Sequence, residues 1–78
     1  MSRKNIEISA EFSLSGRITP KAIIWEDGRR FSVDHILDMR RAANLKGGGL
    51  GMRYICKVHG KEVFLFNDDG IWFMEVDD

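Results

Sequence analysis

The stretch from Gly51 to Val76 constrains this chain most. Met52, Tyr54, Cys56 and Val58 alternate with Arg53, Ile55 and Lys57, and a period of two sends successive side chains to opposite faces of a strand. His59-Gly60 supplies a two-residue turn, Lys61 to Phe66 returns, Asn67-Asp68-Asp69-Gly70 turns again, and Ile71 to Val76 closes a three-strand meander. The histidine turn pairs Lys57 with Glu62, Cys56 with Val63, Ile55 with Phe64, Tyr54 with Leu65 and Arg53 with Phe66. One face, with Met52, Tyr54, Cys56, Val58, Val63 and Leu65, is the expected core. The other carries Arg53, Ile55, Lys57, Glu62, Phe64 and Phe66. A four-residue second turn adds Ile71 and Phe73 to that second face and sends Trp72, Met74 and Val76 to the core. A three-residue turn swaps them, and the pattern leaves both open. Either way Ile55, Phe64 and Phe66 share a side that an isolated sheet exposes, so the N-terminal strand, barrel closure or a partner must cover it.

Upstream, Ile6, Ile8, Ala10, Phe12 and Leu14 alternate with Glu7, Ser9, Glu11 and Ser13, which predicts a half-buried strand ending at Ser15-Gly16. Pro20 suits the start of a second strand, Lys21 to Glu26. Asp27-Gly28 then predicts a two-residue hairpin turn. That register sets Trp25 opposite Arg30, Ile24 opposite Phe31 and Ala22 opposite Val33, with a cation–π contact between Trp25 and Arg30. From Asp34 to Lys46 local rules disagree. Asp34 as a cap, late Arg40, Arg41 and Lys46, and Gly47 after them suit a helix over about 35–45. A continued third strand with a bulge near His35-Ile36 suits the residues equally, turning inward either Ile36 or Leu37 and Met39. Lys46 to Gly51, with three consecutive glycines, is expected to be a flexible loop.

Seventy-eight residues leave room for one domain, 1–78, near the smallest size at which a core suffices alone. Twelve basic residues balance twelve acidic ones, which argues against a generally basic nucleic-acid binder or membrane anchor. The balance hides a segregation. Residues 29–61 hold eight bases and two acids, whereas 62–78 hold six acids and no base. A lone cysteine fits a reducing compartment. With no apolar run near the roughly 20 residues of a membrane span and no leader pattern, the expectation is a cytoplasmic chain without a membrane partner.

Chemical motifs are weak. Cys56 and His59 have a zinc-like spacing, but a structural site needs four ligands and the chain has one Cys and two His. Ser32, His35 and Asp38 invite a triad reading without a nucleophile-elbow pattern. Lys46 precedes its glycines rather than following them, unlike a phosphate-binding loop. Asp68 and Asp69 sit where a turn favours aspartate. The expectation is therefore no enzyme, no cofactor and no metal. What remains is aromatic residues interleaved with bases: Trp25, Arg29, Arg30, Arg53, Phe64 and Phe66. Such a set suits a protein-docking patch, a stacking surface for single-stranded nucleic acid, or a core with arginine stems lying over it.

The segment Trp25-Glu26-Asp27-Gly28-Arg29-Arg30-Phe31-Ser32-Val33-Asp34-His35-Ile36-Leu37-Asp38 resembles a small bacterial domain family of unknown function. That family is written around W-x-[DG]-G-R-x-[FY]-x-V-x-x-[IV]-L-D. Arg53-Tyr54 through Val58, Val63 to Phe66, and Gly70 to Met74 with Val76 extend the likeness over about three quarters of the chain. Similar domains occur alone or beside lesion-bypass polymerase-like proteins, with no assigned activity. The resemblance implies an SH3-like barrel, favours strand for Asp34–Arg41, and raises a DNA-associated role in repair or replication. The triple-glycine loop and the N-terminal strand depart from it. The resulting expectation is an all-β, antiparallel SH3-like barrel of five to six strands, with α+β as the alternative. Its expected role is a non-catalytic interaction module, self-associating or docking a protein, with single-stranded nucleic-acid binding as the alternative.

Overall fold

A computed structural model describes residues 2–43 and 50–76. The glycine run expected to be a flexible loop falls largely outside them. The described residues form eight antiparallel strands and no helix. They are β1 (Ser2–Asn5), β2 (Glu7–Phe12), β3 (Ile18–Ile24), β4 (Arg30–Ser32), β5 (His35–Ala43), β6 (Leu50–Val58), β7 (Lys61–Asp68) and β8 (Ile71–Val76). The all-β expectation holds, but its barrel is open. A five-stranded sheet ordered β1-β8-β7-β6-β5 faces a three-stranded sheet ordered β2-β3-β4.

The chain passes between the sheets at two corners. Ile6 separates β1 from β2, and its N–H donates to the Trp72 carbonyl at 3.0 Å. The run expected as one N-terminal strand is thus shared between sheets and stops at Phe12. Phe12 and Leu14 are exposed, not half-buried. At the second corner Val33 donates to Lys21 in the small sheet, and the next residue, Asp34, donates to Lys57 in the large one. One residue further along a strand reverses the side-chain direction, so this switch turns the chain without leaving backbone groups unpaired.

The meander forms as its alternation dictates. His59 (φ 51°) and Gly60 (φ 75°) make the two-residue turn, and the pairs from Lys57–Glu62 to Arg53–Phe66 are those expected. The second turn is also two residues, Asp69 (φ 52°) and Gly70 (φ 88°), with Asp68 opposite Ile71. Two residues preserve the parity of four, so Phe73 joins Phe66 on the outer side while Trp72 and Met74 pack against the core. The buried Asn67 explains the turn's start, because its side-chain oxygen accepts the Gly70 N–H at 3.0 Å.

The first hairpin differs from its expected register. Trp25 donates to the Arg29 carbonyl at 2.8 Å and Gly28 donates to the Trp25 carbonyl at 2.9 Å, giving a three-residue loop, Glu26 to Gly28. Only Gly28 has positive φ (89°) there, the signature of a type I turn followed by a left-handed glycine. Asp27 stabilises that alternative by accepting the Arg29 backbone N–H at 3.0 Å. Ile23 therefore faces Phe31 and Ile24 faces Arg30. A one-residue slip exchanges faces, and it puts Ile23, Trp25 and Phe31 with the core cluster.

β5 is a strand, and the helix alternative is not formed. Its bulge lies between Ile36 and Asp38, leaving Leu37 as the extra residue and half exposed. Ile36 and Met39 turn inward on either side of it. The core between the sheets centres on Ile23, Tyr54, Cys56, Val58 and Leu65. Tyr54 is 1% exposed, its ring lies 5.3 Å from that of Trp72, and its hydroxyl donates to the Ile18 carbonyl at 2.8 Å. That bond ties the large sheet to the small one across the core. Tyr54→Phe is expected to keep the fold but lower stability by about 0.5–1.5 kcal/mol, because it removes a part-buried hydrogen bond. Urea unfolding checks this, and an unchanged midpoint would show the bond to be dispensable.

Candidate functional site

The six residues singled out from the sequence do not form one patch. Arg53, Phe64 and Phe66 meet on the outer face of the five-stranded sheet, where Arg53 is opposite Phe66 and Ile55 opposite Phe64. Trp25 and Arg29 lie elsewhere, in a cleft between the sheets. Arg30, in β4, is exposed and paired with Ile24. The slipped hairpin register accounts for the separation. It also replaces the expected Trp25–Arg30 contact, since the cation over Trp25 is the Lys4 ammonium at 5.0 Å.

The outer face is built around an aromatic row. Phe66 and Phe73 are cross-strand partners with rings 5.0 Å apart and nearly parallel, at 9°. The Arg3 guanidinium lies 3.7 Å from the Phe73 centroid, a close cation–π contact. Phe64 (44% exposed) and Ile71 (54% exposed) extend the apolar surface, with Ile55 between Phe64 and Asp38. No other segment of the described chain covers this side. Sequence reasoning found Phe64 and Phe66 here but left Phe73, Ile71 and Arg3 unassigned, because they depended on the second turn and on β1 pairing with β8.

The charges around that row fall into two groups. On the β5–β6 side, Arg40, Arg53 and Lys57 accompany Asp38; on the β7–β8–β1 side, Glu62, Asp68 and Glu75 accompany Arg3. Asp38 holds Arg40 at 2.8 Å and Arg53 at 3.8 Å, and Asp68 lies 4.0 Å from Arg3. The Arg53 Nε is occluded and meets no acceptor among the described residues. Its stem lies down on the sheet instead of reaching into solvent.

The second concavity is a cleft of about 430 Å³ where the sheets fail to close. The β3–β4 hairpin gives Ile23, Trp25, Arg29 and Phe31, the β6–β7 hairpin gives Val58, His59, Lys61 and Val63, and β8 gives Met74. Arg29 sits 5.6 Å from the Phe31 centroid and its Nε donates to Asp27 at 2.6 Å. The Arg29 backbone N–H, helped by its guanidinium, lowers the Asp27 carboxyl from its ordinary value against an opposing desolvation. The His59 ring packs edge-on to Phe31 at 5.4 Å, and the His59 backbone N–H donates to the Asp34 carboxylate at 3.1 Å. The sequence signal for this cleft was present in the Trp25–Phe31 and Val58–Val63 segments, but it required knowing which hairpins meet.

Comparison with protein-family models, curated proteins and solved structures returned no match. The site is therefore argued from its own chemistry. Cys56 and His59, the zinc-spaced pair, are separated by burial: Cys56 is wholly enclosed, and His59 is at an exposed turn. Asp38 of the triad-like set is engaged by two arginines. No helix of the described residues is long and apolar enough to cross a membrane.

Burial pushes the Cys56 thiol up to about 11 and also raises Tyr54, chiefly by desolvation with the Cys56 charge second. Both groups hold their protons more tightly when folded. Their stabilisation is thus complete below the unfolded values, near 9.0 for the thiol, and is lost as pH rises through about 11. Folding stability is expected to fall between pH 9 and 11, and the fall to be shallower in Cys56→Ala. Native Cys56 should also resist a water-soluble disulfide reagent at pH 7 and react once urea unfolds the chain. Labelling of the native chain at the rate of free cysteine would contradict its burial.

Proposed function

We propose that this chain is a non-catalytic interaction module that self-associates through the outer face of its five-stranded sheet. The observation that carries the reading is the apolar row of exposed Phe64 and Ile71 with half-buried Phe66 and Phe73, flanked by opposite charge on its two sides. Leaving that much contiguous apolar surface in water opposes solubility, and burying it gains about 25 cal/mol per Å².

The charge arrangement favours a second copy as the occupant. Two identical faces brought together by a two-fold axis running along the strands exchange left and right. The cation-rich β5–β6 side of one protomer then lies over the carboxylate-rich β7–β8–β1 side of its partner. An axis across the strands would oppose like charges, so electrostatics selects one orientation.

A single-stranded nucleic acid fits this face less well. Phosphate binding needs uncompensated cations, whereas Arg3, Arg40 and Arg53 are engaged by Asp68 and Asp38. The stack of Phe66 on Phe73, capped by Arg3, also occupies the ring surfaces on which bases would lie.

Phe64→Asp is expected to give a folded monomer, while the unaltered chain sediments as a dimer at tens of micromolar. Lys57→Glu and Glu75→Lys should each weaken self-association at least fivefold, and an equimolar mixture of the two variants should recover it. Unfolding of Phe64→Asp would place that ring in the core. A strictly monomeric parent chain, or failure of the mixed variants to recover, would remove the self-association reading. Tight, steeply salt-dependent binding of an oligonucleotide would replace it with the nucleic-acid one.

A further inference from the structure

The cleft between the sheets is independent of the docking face. Its floor is dry, with Ile23 at 4% and Val58 at 7% exposure, while Trp25, Phe31, Val63 and Met74 are half-buried along its walls. These walls come from different sheets, so the concavity follows from the fold's open seam. Its volume of about 430 Å³ lies in the range of small-ligand sites.

The polar side chains that line the mouth are Arg29, Lys61 and His59. The Asp27 carboxylate stands behind Arg29, bonded to its Nε, and Asp34 accepts the His59 backbone N–H. Among the described residues Lys61 has no ion-pair partner, and only the Nε of the Arg29 guanidinium is bonded, to Asp27. Arginine carries five N–H donors in a fixed fork, so its terminal amino groups stay available to an anion. The cations come from the two facing hairpins, Arg29 after the β3–β4 loop and Lys61 after the β6–β7 turn. An anionic head between them would bridge the seam that backbone hydrogen bonds leave open.

We propose that this cleft binds a small amphipathic carboxylate: a flat apolar body between Trp25, Phe31 and Met74, with its carboxylate toward Lys61 and Arg29. The aromatic walls favour a ring system. Lys61 and the free terminal amino groups of Arg29 select an anion over a neutral or cationic molecule with the same body. The site takes a free small molecule, and its occupancy does not depend on self-association.

The test uses three probes with one ring system: 2-naphthoate, 2-naphthalenemethanol and 2-naphthylmethylammonium. They are titrated into the full chain and followed by ¹H–¹⁵N and methyl NMR. The naphthoate should shift the Trp25 indole N–H and the methyls of Val58, Val63 and Met74, and bind at least fivefold more tightly than the ammonium. Lys61→Glu, at an exposed position, should weaken naphthoate at least fivefold. Lys57→Glu, on the outer face, should not. Phe64→Asp should retain binding, which keeps this result separate from the dimer. Equal affinity for the three probes, indifference to Lys61→Glu, or shifts centred on Phe64 and Ile71 would each overturn the proposal. An acidic peptide competing where naphthoate fails would overturn it in favour of a protein ligand.

Discussion

The enclosed ring of Tyr54, with its hydroxyl bonded across the core, is the interaction around which the two sheets of this protein pack. Tyr54 is enclosed in the core, packs its ring at a tilt against Trp72 within its own sheet, and bonds the Ile18 carbonyl of the other. A three-stranded sheet cannot bury much by itself, and a five-stranded sheet has one side to spare. Facing them around Tyr54, Cys56 and Leu65 satisfies the inner side of both. The arrangement leaves two consequences that the function inherits. The outer side of the large sheet stays apolar and uncovered, and the seam opposite the tyrosine stays open.

The corners explain how so short a chain achieves this. Ile6 and the Val33–Asp34 step each hand the backbone from one sheet to the other while keeping its hydrogen bonds made. The Val33–Asp34 corner also changes which residues point inward, from Phe31 and Val33 to Ile36, and the Leu37 bulge changes them again, to Met39. Every inward-facing residue between Ile23 and Met39 depends on this parity. That is why a single shift in the β3–β4 loop moves Trp25 from an exposed patch to the wall of a cleft.

The parts legible in the sequence are those in which turn chemistry and alternation agree. His59-Gly60 allowed one geometry, and the strands on either side of it pair as their alternation requires. Asp27-Gly28 signals a two-residue turn, yet a three-residue loop forms because the Asp27 carboxylate captures the Arg29 N–H. Phe12 and Leu14 continue the alternation of Ile6 and Ile8, yet Phe12 is the last paired residue of β2 and Leu14 lies in the turn beyond it, a matter of strand length that periodicity does not encode. The outer aromatic face was visible as a surplus of apolar residues, whereas the cleft was not, since its two hairpins are distant in sequence.

The central claim is that the meander has one face enclosed by its own chain and one face free. Solvent paramagnetic relaxation of side-chain protons, recorded over a dilution series, tests it directly. At the lowest concentration Leu65 and Val58 should be shielded while Phe64 and Ile71 relax strongly, and the latter two should gain shielding as concentration rises. Shielding of Phe64 and Ile71 that persists at infinite dilution would mean that the chain covers that face itself, and the account would be wrong.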